Sequence, residues 1–251
     1  MSAGPLVSVL VTGYSRPAHL RRTVESFLRV NTYRNLELIL ADDGSPPALQ
    51  EEMRRLPFDR FLLPDVNRGL GANTNAGLRA ARGDFIVQLQ DDWLCEGPGG
   101  FIEAALDVMT ERPEIGLVRL CSRDPELRYS KWTSQSGLVV QIFTMPPASP
   151  HHFVYTDNPH IKSRALVDFM GPYLESRYMQ KTEIDMRDRF NRQTRFKAAF
   201  IEGHHHFEHI GEDMSFNRLP PRARLSAALE GVPALRGAVH LYRRFKQKLG
   251  R

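Results

Sequence analysis

The chain has 251 residues, 41% of them hydrophobic and 25% charged, with a formal net charge of +5. That length and composition suit one sizeable globular domain with a full core. The charge is uneven: positions 219–251 hold eight Lys or Arg against one acid, a surplus of seven that leaves −2 for residues 1–218. A nearly neutral body argues against nucleic-acid binding, which needs a basic face for phosphates.

The sequence contains no run of about 18 apolar residues, so no membrane-spanning helix is expected. The opening MSAGPLVSVLVTGYS lacks a basic segment followed by an apolar one, so no secretory signal is expected either. Two cysteines, Cys95 and Cys121, do not make a disulfide framework. A reduced, cytoplasmic setting is the expectation.

In chain order, VSVLVTGY (7–14) reads as a strand. Pro17 then opens a helix with Leu20, Val24, Phe27 and Leu28 at helical spacing. LELILA (36–41) is a strand, PALQEEMRRL a helix, and DRFLL (59–63) a short strand. GANTNAGLRAARG (71–83) reads as a helix closed by Gly83. DFIVQLQ (84–90) is a strand, GFIEAALDVMTER a helix, and IGLVRLC (115–121) a strand. This alternation predicts crossover units in an α/β fold, a mainly parallel sheet with helices on both faces.

From about 122 to 175 the pattern loosens into Pro-, Ser- and aromatic-rich stretches, expected as loops or an irregular hairpin layer. TEIDMRDRFNRQ (182–193) is helical and FKAAFIEG (196–203) strand-like, followed by HHHFEHIG. The basic tail has helix propensity interrupted by Pro220, Pro221 and Pro233.

In open parallel sheets, ligands bind beyond the carboxyl ends of the strands. Thr12, Gly13, Tyr14 and Ser15 follow the first strand, Asp42, Asp43, Gly44 and Ser45 the second, Asn67, Arg68 and Gly69 the third, and Asp91 and Asp92 the fourth. All of them fall on one rim. Two adjacent carboxylates leaving a buried strand repel each other unless something positive joins them. A divalent cation meets that need, taking one or two carboxylates and completing its shell with phosphate oxygens and water. The competing reading, a solvated turn cap, is weaker on a ligand rim. Asp43 could close a turn or accept hydrogen bonds from a base imide or ribose. GLGANTNAG follows the third strand and lacks a third glycine in register, so it is no dinucleotide fingerprint. Three consecutive histidines, His204, His205 and His206, cannot all face one ion and make a poor zinc site.

Together, VSVLVTGYSRP, ADDGS, NRGLGANTNAG and GDFIVQLQDDW resemble glycosyltransferase family 2 in order and spacing, over roughly residues 6–120 and more loosely to about 213. The resemblance implies the GT-A fold, a Rossmann-like sheet plus an acceptor-side region, to which the sequence adds the basic C-terminal helical tail. It divides the chain into a nucleotide-sugar-binding half (1–121), an acceptor-binding half of the same domain (122–218) and the tail (219–251). It implies that Thr12, Tyr14 and Asp43 hold the nucleotide, with Asn67, Asn75 and Trp93 also lining the donor site. Gln90-Asp91-Asp92 matches the family's DXD-type motif, with Gln90 where many members carry an acid. Asp91 would touch the ribose or sugar, and Asp92 would ligate Mn²⁺ or Mg²⁺, joined by His209. Thr74 stands where the family often has Arg, so Arg16 or Arg68 would supply that phosphate contact. Thr182-Glu183-Ile184-Asp185, with Arg189 beyond, matches the family's acid pair at a helix start. Glu183 is then the expected catalytic base and Asp185 the alternative, each also at ion-pairing distance in sequence from Arg187 or Arg189.

The implied activity is metal-dependent and inverting transfer of a sugar from a nucleoside-diphosphate donor, UDP- or dTDP-linked, as in polysaccharide biosynthesis. The acceptor would be a glycan, a lipid-linked or a natural-product hydroxyl. A retaining transferase of the same fold, or a non-catalytic nucleotide-sugar-binding module docked at a membrane, is the alternative. The basic, partly apolar tail is a candidate for peripheral contact with the inner face of the membrane or for an oligomer contact.

Overall fold

A computed structural model describes residues 4–121, 128–144 and 154–211, all within one packing unit that ends at Gly211. The tail, together with His152 and Phe153 of the acceptor region, lies outside these described residues. The elements run β1 (Val7–Gly13), α1 (Pro17–Val30), β2 (Leu36–Asp42), α2 (Pro47–Met53), β3 (Arg60–Leu62), α3 (Leu70–Ala80), β4 (Phe85–Gln90), β5 (Trp93–Cys95), α4 (Phe101–Glu111) and β6 (Ile115–Arg119). The second half adds β7 (Tyr129–Thr133), β8 (Val139–Phe143), β9 (His160–Ser163), α5 (Arg164–Met170), α6 (Met179–Arg192), β10 (Lys197–Ile201) and β11 (Phe207–His209).

Nine strands form one sheet in the order β3-β2-β1-β4-β9-β6-β10-β8-β7. β1, β2, β3 and β4 pair in parallel, as do β6 and β10. β9 runs antiparallel to both β4 and β6, and β8 antiparallel to both β10 and β7. Reversing direction at β9 and again at β8 leaves seven of the nine strands pointing the same way, so the sheet is mainly parallel.

The strand alternation places apolar residues on both faces, as a sheet covered by helices on both sides requires. In β1, Val7, Val9 and Val11 join the core beneath Leu20, Val24 and Phe27 of α1 and Phe101, Ala105 and Val108 of α4. Leu10 and its neighbours Ile39 and Ile86 face the opposite core, under Leu78 of α3, Leu166 of α5 and Met186 and Phe190 of α6. Among the described residues no helix is long and apolar enough to cross a membrane.

The structure adds to and corrects the sequence reading in places. α3 ends at Ala80 with Ala81 as its C-cap, so Gly83 does not close it. Residues 128–144 form a hairpin, one of the two expected alternatives, which extends the main sheet, whereas His160–Ser163 is a strand inside that sheet rather than a loop. α6 begins at Met179, about one turn before the expected start. The tripeptides of β5 and β11 pair as a separate two-stranded sheet.

Candidate active site

Register aligns the rim. Gly13 pairs with Asp42, and Thr12 with both Ala41 and Gln90, so Tyr14, Asp43 and Asp91 leave the sheet at one level. Thr12 is buried there, its hydroxyl donating to the Leu89 carbonyl at 3.3 Å. Behind the rim, Asp42 is fully buried. It accepts from the Ser45 amide at 2.7 Å, from the Ser45 hydroxyl and from Gln50, so it fastens the turn. Asp43 is the half-buried partner of that pair. Its Oδ1 accepts from the Arg68 and Gly69 amides, both at 3.1 Å, and burial raises its pKa. The Asn67 side chain also hydrogen-bonds to this carboxylate.

Asp91 and Asp92 are both buried, at 1% and 7% exposure. Asp91 accepts from the Tyr14 amide at 3.2 Å, and Thr23 of α1 donates to its carbonyl at 2.9 Å. Burial pushes the Asp91 carboxyl up to about 7, against the lowering effect of Arg16. The positive partner is in place: the Arg16 guanidinium bridges the pair. It reaches Asp91 through Nη2 and through Nε at 3.3 Å, and Asp92 Oδ2 through Nη1 at 2.8 Å.

The β5–β11 pairing sets His209 opposite Trp93, their rings 5.0 Å apart. It brings His209 Nε2 to 3.4 Å from Asp92 Oδ2, and the Ile210 amide donates to the Asp92 carbonyl at 2.9 Å. Gly211 lies so close that a Cβ there would sit 2.3 Å from Asp92 Oδ2. Two buried groups here have no hydrogen-bond partner: Asp92 Oδ1 and Trp93 Nε1. A bare buried carboxylate oxygen is costly unless a ligand completes it. An oxygen donor beside an imidazole nitrogen fits a hard divalent cation that keeps most of its positions for phosphate and water. Among the described residues no three His, Cys, Asp or Glu side chains gather to hold an ion on their own. His206 instead holds the Glu96 carbonyl through Nδ1 at 2.9 Å.

Glu183, the expected base, lies in the second turn of α6, not at its start. Its carboxyl is pushed up to about 7, first by burial and then by the charge of Asp157. The expected pairing with Arg187 is absent, since Arg187 pairs with Asp188, whereas Asp185 is held by Arg189 at 2.9 Å. Arg189 also donates to the Met170 and Pro172 carbonyls, so this pair secures the chain leading to 173–178. Thr182 donates to the Leu174 carbonyl at 3.0 Å. Asn75 gives both ends of its amide to Tyr173: its Nδ2 donates to the carbonyl at 2.9 Å, and its Oδ1 accepts from the amide at 2.8 Å. Asn75 therefore ties α3 to this segment. Asn67 is exposed and accepts from the Gly69 amide, and Arg68 pairs with Glu175 at the surface.

Sequence reasoning missed a buried polar cluster under the rim. Lys162 of β9 donates to Gln88 Oε1 at 2.6 Å and to the Tyr155 and Tyr173 hydroxyls, both at 3.2 Å. Gln88 and Tyr173 donate to Asp157 Oδ1 at 3.1 and 3.0 Å, leaving Asp157 Oδ2 buried without a partner. Burial pulls Lys162 down to about 7 and raises Asp157. Tyr155, one of the aromatics of the loose acceptor region, is thus part of the core. The signal was Gln88, a polar side chain in the middle of FIVQLQ.

The sequence pattern of Glycosyl transferase family 2 matches residues 8–199, from β1 into β10. The chain belongs to glycosyl transferase family 2. Its family 2 relatives include the putative glycosyltransferase EpsH of Bacillus subtilis, 39% identical over 94 residues, covering 36% of this chain and 27% of that protein. Chondroitin synthase of Escherichia coli is 25% identical over 237 residues, 84% of this chain and 33% of that protein. A GalNAc(5)-diNAcBac-PP-undecaprenol beta-1,3-glucosyltransferase of Campylobacter jejuni is 27% identical over 142 residues, 53% and 44% of the two chains. The matches cover less than half the length of each of these relatives. Among solved structures, the mannosyltransferase PcManGT from Pyrobaculum calidifontis, in complex with GDP-Man and Mn²⁺, superposes with a TM-score of 0.53 at 17% identity, over 72% of this chain and 50% of that one. Staphylococcus aureus TarS 1–349 gives 0.54 at 16% identity, over 80% and 59%. At these identities the likeness is one of fold, and the fold is GT-A.

Proposed function

We propose that this chain transfers a sugar from a nucleoside-diphosphate sugar to an acceptor hydroxyl, with inversion and with the help of a divalent cation. The observation that carries the reading is Asp92, whose Oδ1 is buried without a partner and whose Oδ2 lies 3.4 Å from His209 Nε2, on the same rim as the Asp43 carboxylate. Asp92 and His209 would hold Mn²⁺ or Mg²⁺, which when bound neutralises the leaving diphosphate. The Asp43 carboxylate accepts the imide N–H of a base, which favours uracil or thymine, hence a UDP- or dTDP-sugar. Tyr14 packs against that base, and Thr12 and Asn67 border its pocket. Asp91 orients the ribose or sugar, with Trp93 beside it. Asn75 supports the site by holding residues 173–175.

Glu183 Oε takes the acceptor hydroxyl's proton while that oxygen bonds to the anomeric carbon and the bond to the diphosphate oxygen breaks. A carboxyl raised to about 7 is a base matched to neutral pH. Asp185, held by Arg189, is the weaker candidate. The names of the relatives support a glycan or lipid-linked acceptor.

The test is calorimetric titration with UDP, dTDP, GDP and CDP, each with Mn²⁺ and again with EDTA. One nucleotide should bind with Mn²⁺, and that binding should disappear with EDTA and in Asp92→Ala. Absence of binding by every nucleotide under both conditions refutes the donor site.

A further inference from the structure

Arg16 is the N-cap residue of α1, between the end of β1 and the helix that carries Thr23. Its side chain is 14% exposed, over carboxylates at 1% and 9%. The guanidinium divides its fork between two carboxylates rather than gripping one: Nε and Nη2 go to Asp91, and Nη1 goes to Asp92 Oδ2. That same Asp92 oxygen is the one His209 Nε2 approaches at 3.4 Å. The face of Asp92 that a metal would share with His209 is therefore already covered by a fixed positive charge.

A guanidinium and a divalent cation on one carboxylate edge repel each other across a few ångströms in a poorly hydrated site, where charges interact strongly. Removing the guanidinium without replacement is also costly, because it leaves Asp91 buried and uncompensated. A diphosphate resolves the conflict. It brings negative charge to the same rim, and a planar guanidinium binds phosphate oxygens as readily as it binds carboxylates.

We propose, resting on the donor-site reading above, that Arg16 is a built-in counter-cation for Asp91 and Asp92. It yields Asp92 to a divalent cation when a nucleoside diphosphate arrives to engage the guanidinium. Metal and nucleotide then bind interdependently, and Arg16 is the positioning residue that couples them. The coupling is reciprocal: each ligand tightens the other by one shared factor, on the order of 5- to 150-fold for such linkages.

The experiment is titration of the full chain with Mn²⁺, read as free Mn²⁺ by electron paramagnetic resonance. It is run with and without each of UDP, dTDP, GDP and CDP, for the wild type, Arg16→Gln and Arg16→Lys. Wild type should bind Mn²⁺ alone weakly and tighten markedly with one nucleotide. Arg16→Gln should bind Mn²⁺ alone at least several-fold tighter than wild type, with most of the nucleotide's tightening lost. In EDTA it should melt below wild type and regain stability when Mn²⁺ is added. Arg16→Lys keeps the charge without the fork and should fall between the two; it carries the test if the Gln variant does not fold. Equal Mn²⁺ affinity in wild type and variants, or equal tightening by nucleotide in both, overturns the role of Arg16 while leaving the donor site standing. If wild type binds no nucleotide with Mn²⁺, both readings fall together.

Discussion

Replacing Glu183 with Gln separates catalysis from stability. In the fold the Glu183 carboxyl is raised from 4.5 to about 7. A carboxyl that titrates higher in the folded state favours folding while protonated. Its contribution is complete below the unfolded value near 4.5 and is lost as pH rises towards 7. The shift corresponds to roughly 3 kcal/mol at most, at 1.36 kcal/mol per pKa unit. Glu183→Gln keeps the shape and removes the charge. Above pH 7 it should therefore be more stable than wild type by about 1–3 kcal/mol, a rise of roughly 2–4 °C per kcal/mol for a chain of this size. The two proteins should converge towards pH 4.5. Sugar transfer should fall by about 10²- to 10⁴-fold, the usual contribution of a positioned base. The assay is thermal unfolding in EDTA from pH 4.5 to 8, alongside transfer rates at saturating donor. The reasoning is refuted if the stability difference does not change with pH, or if the variant retains full activity.

Two further perturbations probe the ground beneath the rim. Gly71→Ala would place a Cβ 2.1 Å from the Leu174 carbonyl, pushing α3 away from the 173–178 segment. It should cost about 1–3 kcal/mol in chemical denaturation and weaken nucleotide binding in calorimetry; a Gly71→Ala protein with wild-type values on both would show that the close approach is dispensable. Lys162→Met should cost about 3–5 kcal/mol by stranding the Asp157 carboxylate. Adding Asp157→Asn should restore part of that loss, and strict additivity in the denaturation cycle would deny that the two groups share one network.

Much of this was legible in the sequence. Strands β1, β2 and β4 and the helices between them follow from hydrophobic period alone. The rim acids follow from their place one step past each strand. Other features depend on contacts that no local pattern records. His160–Ser163 is four residues long and contains a lysine, so its period could not mark it as a strand; it is one because β4 and β6 flank it and Gln88 receives Lys162. β5 and β11 are three-residue strands that exist through each other. Arg16 showed in the sequence only as a candidate phosphate ligand, because its ion pairs with Asp91 and Asp92 span some 75 positions. Asn75 read as a donor contact, yet its amide is committed to Tyr173. The start of α6 slipped by a turn because MQKTEI carries no side-chain cap to announce it.

The reversed strand β9 also bears on how such proteins can be recombined. It comes from the second half of the chain, yet it fills the gap between β4 and β6 of the first half, with Phe85 opposite Ser163 and Leu117 opposite Lys162. A chimera joined at residue 121 would have to recreate both ladders across a foreign seam, and a fragment cut there would expose β4 as an unpaired edge prone to self-association. The two halves are therefore not exchangeable cassettes. Sequence change is easier to accommodate at the hairpin β7–β8, which closes the outer edge of the sheet and can vary without breaking a ladder in its centre.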